Sequence, residues 1–379
     1  MCTVRRKILN NDLLCEGEPM DRLEIKTKNL DILADYRAGL RKEPQLRTFF
    51  LELTLRCNEA CFHCGSGCSS SMPDGLPIEK YKEVLMDIKE NFGTKVFIAV
   101  TGGEPLLYDK FFELMKFISD EGFRWGMTSN ATLITPEIAR RLADVGMRTI
   151  SVSVDGTKEL HDSYRNMPDA YDLAIRGIQN LIDVDAFSSI MVTTVINHEN
   201  IAYLDEMYDT ICAMDINEWR LTGLEPIGRA LDHPDKLLTI DDQRKMFDFI
   251  KSKRDLKIPV TYGCTHFVGL EYEAEIRDWY FLCNAGVYTA SINVNGEFGG
   301  CLDIPRNEKT ICGNISSEKF SDVWRNGFEF FRTPLSTRCE TCKNCPDEKW
   351  CSGDAYHSWN YEKDEPRVCL RELWATDNM

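Results

Sequence analysis

The chain has 379 residues, 43% of them apolar, enough for ordinary cores in about two domains. Its formal net charge of −16 excludes nonspecific nucleic-acid binding, which needs a basic face to displace counterions, and disfavours an anionic membrane surface. No apolar run reaches the roughly 18–20 residues of a membrane span, and the N-terminal stretch lacks a signal-peptide core, so a cytoplasmic location is expected.

Residues 1–47 read as a polar N-terminal extension with a helical pattern near Leu30 to Leu40. From residue 48, β-like runs alternate with amphipathic ones. Strands are predicted at 49–55, 96–100, 124–128, 149–154, 190–195 and 218–221. The helical segments between them include IEKYKEVLMDIKENF, KFFELMKFISDEG and PEIARRLADVG. Thr135 caps the last of these, Pro136 sits in its first turn and Gly146 ends it. A further helix over 239–253, capped by Thr239, closes the unit. Six strand–helix alternations imply parallel strands with right-handed crossovers, a partial (β/α)6 TIM-type barrel over residues 48–262.

The composition changes over residues 263–379. Short strands and turns take over, with Asn295-Gly296 as a hairpin turn, and nine of the 16 cysteines fall here. A segment this poor in long apolar runs is expected to depend on metal, giving a small cysteine-rich α+β domain. Dense cysteine in a large chain without an export signal points to zinc or iron–sulfur clusters rather than disulfides.

The first strand leads into RCNEACFHCGSGCSS, where Cys57, Cys61 and Cys64 lie on a loop at the carboxyl end of the barrel. Three thiolates at this spacing can hold three corners of a [4Fe–4S] cubane and leave the fourth iron open to a small molecule. A zinc site completed by His63 is the competing reading. Cys2, Cys15, Cys68 and Cys212 read as free thiols, with Cys68 alternatively lining the loop.

The C-x3-C-x2-C motif, with Phe62 before its last pair, resembles the radical S-adenosylmethionine (radical SAM) superfamily. By that resemblance the open iron binds S-adenosylmethionine. One electron, from a reductant such as flavodoxin or ferredoxin, then cleaves it to methionine and a 5′-deoxyadenosyl radical. Gly102-Gly103-Glu104-Pro105 resembles the family's GGEP stretch. Its glycines are expected to let the backbone approach the ligand, and Glu104 to accept from the ligand ammonium. Thr128-Ser129-Asn130 resembles a ribose-side stretch, which makes Asn130 a cofactor contact. Ser153 and Arg165 fall in a fourth-strand pattern and are expected at the ribose or carboxylate; an Asp162–Arg165 pair at helical spacing is the alternative. Val195 falls where the family packs the adenine.

The tail resembles the SPASM extension of peptide-modifying radical enzymes. Cys283, Gly296 and Cys301 match its first half; Cys342, Cys345, Cys351 and Cys369 match four of the five cysteines of its second half, and Ala355 stands at the fifth. Two auxiliary [4Fe–4S] clusters need eight thiolates, which makes three clusters in all. The resemblance assigns Cys342, Cys345, Cys351 and Cys369 to the second auxiliary cluster. Cys283 and Cys301 begin the first, Cys339 stands in for the thiolate missing at 355, and the fourth ligand is Cys312, Cys264 or an open position.

The resemblance implies hydrogen abstraction from a ribosomally made peptide or protein and a new crosslink, thioether, epimerisation or oxidation. A small-molecule radical oxidoreductase acting on a tetrapyrrole or sugar, and a noncatalytic iron–sulfur scaffold, are the alternatives. Leu302 replaces an aspartate typical of sulfatase-maturing relatives. The residues before the first strand are too few for a leader-binding winged helix, so a separate leader-binding protein or the barrel surface is expected to serve. No residue marks itself as the catalytic acid or base; Tyr262, His266 and Tyr356 are unassigned, and His357 and Trp359 read as a cap over the cluster.

Overall fold

The structure, a computed structural model, describes residues 22–263, 266–277 and 281–371. Strands β1 (Thr48–Glu52), β2 (Phe97–Thr101), β3 (Arg124–Ser129), β4 (Thr149–Ser153), β5 (Ser189–Ile196), β6 (Glu218–Gly223) and β7 (Val260–Tyr262) pair in chain order and in parallel. The result is the expected partial barrel with one strand more. β7 has three residues, too short to show an alternation.

Register divides the strand residues into two faces. Trp125 donates from Nε1 to Ser119 Oγ at 3.0 Å, which turns it toward the helix Phe111–Asp120. Ile98, Trp125, Phe49, Ile150, Ile190, Val192 and Trp219 share that helix-facing side through their pairings and are buried. The opposite face turns to the lumen. It carries Ser151, Ser153, Thr193 and Val195, all half-buried, and Ser151 Oγ meets Thr193 Oγ1 at 2.7 Å. Apolar packing therefore holds the wall, and polar groups are left for the interior.

The helices begin where local chemistry predicts. Thr135 accepts from Ile138 N–H ahead of Pro136–Asp144. Thr239 and Asp242 form a reciprocal capping box on Ile240–Lys253.

The tail is built onto the same sheet. β8 (Thr289–Ile292) runs parallel to β1, and β9 (Glu297–Gly299) and β10 (Gly313–Asn314) continue antiparallel, giving a ten-stranded sheet among the described residues. Its reliance on metal for want of a core needs correcting. Phe298, Phe320, Val323, Trp324, Phe328, Phe331 and Trp359 are buried in a core continuous with the barrel's. Phe320 meets Phe49 of β1 with ring centroids 4.7 Å apart. These aromatics come from several short elements, so no single apolar run announces them.

Residues Arg22–Lys42 form one helix, which buries Leu30, Ala34, Arg37 and Leu40 along a single stripe. Asp31 accepts from Trp350 Nε1 at 3.1 Å, and Arg37 donates to the Trp350 and Cys351 carbonyls. This segment is docked on the cysteine-rich tail.

Candidate functional site

The loop after β1 is fixed from both sides. Gly103 N–H donates to the Thr54 carbonyl at 2.7 Å, and Glu104 N–H to that of Arg56 at 2.9 Å. On the other side Ala60 and Phe62 N–H donate to the Arg165 and Tyr164 carbonyls, both at 3.1 Å. Phe62 stands edge-on to Tyr164, centroids 5.0 Å apart. Cys57 and Cys61 are buried on this loop, and burial pushes both thiols up to about 12. Two buried thiols of this kind ionise only beside a strong cation such as iron. The Cys68 side chain and its N–H, at 3.3 Å, both turn to Cys64 Sγ, which lowers Cys64 and raises Cys68. Cys68 is a free thiol, as expected, and it packs with Cys57 and Leu55 inside the loop, the alternative place the sequence offered for it.

Gly102 and Gly103 have a packing role that the sequence did not announce. A Cβ on Gly102, at φ +146°, would lie 2.4 Å from the Thr54 carbonyl oxygen, and one on Gly103 would lie 2.2 Å from that of Arg56. The glycines let β2 approach the cysteine loop, so backbone-to-backbone packing already demands them. Glu104 is fully buried. It accepts from Ser129 Oγ at 2.9 Å, Asn130 N–H at 3.0 Å and Leu106 N–H at 3.3 Å, yet burial pushes its carboxyl up to about 7. Asn130 Nδ2 donates to Asn58 Oδ1 at 2.9 Å and lies 3.9 Å from Cys57 Sγ.

Arg165 is not paired with Asp162, which instead accepts from Tyr171 N–H at 2.8 Å and meets Lys158. Arg165 is buried, donates to Glu59 Oε2 at 3.1 Å and to Asp155, and lies 3.6 Å from Cys61 Sγ. Burial works against Asp155 ionising, but Arg165 and His63 hold it well below the usual carboxylate range. His63 Nε2 lies 3.1 Å from Asp155, which engages that nitrogen. Among the described residues, no three His, Cys, Asp or Glu side chains converge on a single metal ion. Asp155 and His161 belong to the same fourth-strand pattern as Ser153 and Arg165 but were given no role of their own, and Glu59 was missed, because an acid between two cysteines looks like any surface residue. Ser153 and Val195 project into the lumen at the ends of β4 and β5, and Val195 N–H donates to Asp155 Oδ1 at 3.0 Å.

The residues fit the cofactor pair. Three thiols share one loop, and Glu104 stands ready for an ammonium. Glu59 Oε1, Arg165 Nε and His161 Nε2 are buried with no protein partner.

In the tail, Cys342 is surrounded by Cys339, Cys369 and Cys345, with Cys339 in hydrogen-bond contact, and Cys351 lies near Cys369. Ala355 packs in a buried cluster with Cys283 and Cys351. Cys312 packs against the same core as Cys283 and Cys301; burial pushes it up to about 12, and the Arg332 guanidinium nearby donates to the Gly286, Arg325 and Trp324 carbonyls. Cys301 Sγ lies 3.9 Å from Asp303 Oδ2. Cys264, Cys2 and Cys15 lie outside the described residues. Cys212 ends the helix Leu204–Cys212, beside Tyr208. Tyr356 donates to the Phe331 carbonyl at 2.8 Å, a structural bond. His266 lies between two carboxylates, Glu225 and Asp354.

Residues 51–211 match the model of the radical SAM superfamily, and residues 283–346 that of the SPASM iron–sulfur cluster-binding domain. An AdoMet-dependent heme synthase of Methanosarcina barkeri is 26% identical over 341 residues, spanning 84% of this chain and 95% of that protein. The mycofactocin maturase MftC of Mycobacterium tuberculosis is 29% identical over 312 residues, 80% of this chain and 76% of that protein. The crystal structure of Streptococcus suis SuiB bound to precursor peptide SuiA has the same fold, with TM-score 0.67 at 16% identity over 97% of this chain and 86% of that one.

Proposed function

The chain is an enzyme of the radical SAM superfamily with a SPASM domain, and from that premise we propose that it installs a modification on a ribosomally made peptide or protein. The mycofactocin maturase at 29% identity is the observation that carries this reading. Bound at the Cys57, Cys61 and Cys64 loop, the cluster and S-adenosylmethionine supply a carbon radical able to abstract hydrogen. The chain's own residues bind and orient. Glu104 holds the ammonium, Arg165 with Asp155 fixes the loop and faces the carboxylate, and Asn130, Ser153 and Val195 line the nucleoside side. Gly102 and Gly103 keep β2 against the cysteine loop, so that Glu104 and the thiols stay in register.

We assign two further clusters to the tail. Cys342, Cys345, Cys351 and Cys369 take one, with Cys339 in reserve beside Cys342; Cys283, Cys301 and Cys312 serve the other. Held by these thiolates, such clusters would supply one-electron redox capacity next to the substrate. A one-electron reductant and a separate leader-binding protein complete the system.

The heme synthase relative favours a second reading, a tetrapyrrole side-chain oxidoreductase. Anaerobically reconstituted enzyme with S-adenosylmethionine and dithionite separates the two. A mass change in a short peptide encoded beside the gene, with 5′-deoxyadenosine formed, supports the first. Turnover of a propionate-bearing iron porphyrin, with the peptide unchanged, establishes the second.

A further inference from the structure

A cavity of about 600 Å³ opens beside the carboxyl ends of β6 and β7. Leu224, Pro226, Leu238 and Tyr262 supply apolar wall, Glu225 and His266 lie at one charged end, and Asp241 and Arg244, ion-paired at 3.4 Å, also line it. His266 Nε2 meets Glu225 Oε1 at 2.7 Å, and Nδ1 meets Asp354 Oδ2 at 2.6 Å. The three side chains are 6%, 11% and 7% exposed for His266, Glu225 and Asp354. Two carboxylates against one imidazole leave this end negative whether or not the ring is protonated.

The arrangement is held under strain. Ser352, Gly353 and Asp354 follow Cys351 at φ +58°, +91° and +71°, and Asp354 is kept there by His266 and by Phe267 N–H, which donates to its Oδ1 at 2.9 Å. His357, its ring 6.2 Å from that of His266, has a buried Nε2 without a partner. The other side reaches the thiol loop. Two residues after Glu225, Ile227 begins a turn in which the Arg229 N–H donates to the Cys64 carbonyl at 3.1 Å and its Nε to that of Cys61 at 2.7 Å. The cavity therefore lies where the barrel mouth meets the tail, within one short turn of the radical-forming loop.

We propose that this cavity is a substrate subsite for a basic side chain of the peptide, lysine or arginine, whose methylene stem lies on the apolar wall and whose cationic tip binds Glu225. The proposal rests on the peptide reading above and names what the site selects. Among the described residues the Glu225 carboxylate is hydrogen-bonded through Oε1, to His266, which leaves Oε2 for the incoming cation. Buried apolar walls strengthen such a charge-assisted bond, and the same negative end rejects a propionate.

The test is ligand-observed NMR on anaerobically reconstituted enzyme. The probes are N-acetyl-lysine amide, its uncharged isostere N-acetyl-norleucine amide and the acidic N-acetyl-glutamate amide. The lysine probe is expected to bind at least about tenfold more tightly than norleucine, a preference lost in Glu225→Gln at unchanged iron content. Leu238→Trp, which fills the cavity and keeps the acid, is expected to abolish binding of the lysine probe. Equal binding of lysine and norleucine, or no binding of either, overturns the subsite and leaves the peptide reading standing. Preference for the acidic probe, lost in Leu238→Trp, overturns both.

Discussion

Glu104→Gln tests the cofactor site most directly, because the position of this carboxyl decides its charge. Burial raises it from an ordinary 4.5 to about 7, which at about 1.4 kcal/mol per pH unit corresponds to about 3 kcal/mol. An unfolded chain ionises the group first. Its contribution to stability is therefore full below pH 4.5 and is lost as pH rises to about 7. An ammonium beside Glu104 reverses this preference, since it favours the ionised form. S-adenosylmethionine affinity in the wild type should then climb about tenfold per pH unit below pH 7 and level off above it. In Glu104→Gln the climb should vanish, and affinity at pH 8 should be roughly ten- to hundredfold lower through loss of one charge-assisted bond. Anaerobic calorimetric titration at half-unit pH steps reads both quantities. Parallel pH profiles in the two proteins, or equal affinity at pH 8, would refute the role of Glu104 as the ammonium's partner.

Three more outcomes follow from the same geometry. Wild-type protein should hold about twelve irons after reconstitution and the combined Cys57→Ala, Cys61→Ala, Cys64→Ala variant about eight; about eight in the wild type would mean one auxiliary cluster is missing. Gly103→Ala places a Cβ 2.2 Å from the Arg56 carbonyl oxygen and should cost about four irons while the tail keeps its share, so full iron content would remove the packing argument. Phe320→Ala should destabilise chelator-stripped protein by about 3–5 kcal/mol in anaerobic denaturant titration, and a change below about 1 kcal/mol would mean that metal alone holds the tail.

The barrel was legible because its signals are local. Each strand is an apolar run, each helix an amphipathic one, and Thr135 and Thr239 announce their helices by side-chain chemistry that needs no tertiary partner. The thiol spacing of Cys57, Cys61 and Cys64 was legible for the same reason: one loop carries all three. What escaped is long-range. Arg165 was expected at the ribose or carboxylate with a helical pair to Asp162 as the alternative, and its protein partners, Glu59 and Asp155 from two other loops, were not foreseen. The glycines at 102 and 103 were read toward a ligand, while the nearest atoms belong to the preceding loop's backbone. The tail's core escaped because Phe298, Phe320 and Trp359 come from separate short elements and meet only in space.

The pairing of β8 with β1 determines how the two halves act together. β1 carries the thiol loop at its carboxyl end, and its own edge, Thr48 to Leu51, is bonded to Thr289 to Ile292 of the tail. At the top of that strand Glu52 is buried, with Arg306 at 2.5 Å and Val294 N–H at 3.1 Å, both from the tail. A shift of the tail relative to the barrel would leave a buried carboxylate unpaired and break a strand ladder, so thermal motion at this junction is opposed by charge and by backbone bonds at once. The junction on the far side of the barrel mouth is different in kind. There Glu225, His266 and Asp354 join three segments through side-chain carboxylates and an imidazole rather than a strand ladder, next to a cavity. One side fixes the thiol loop to the tail as a single sheet. The other leaves a cavity between them, where the proposed substrate would enter.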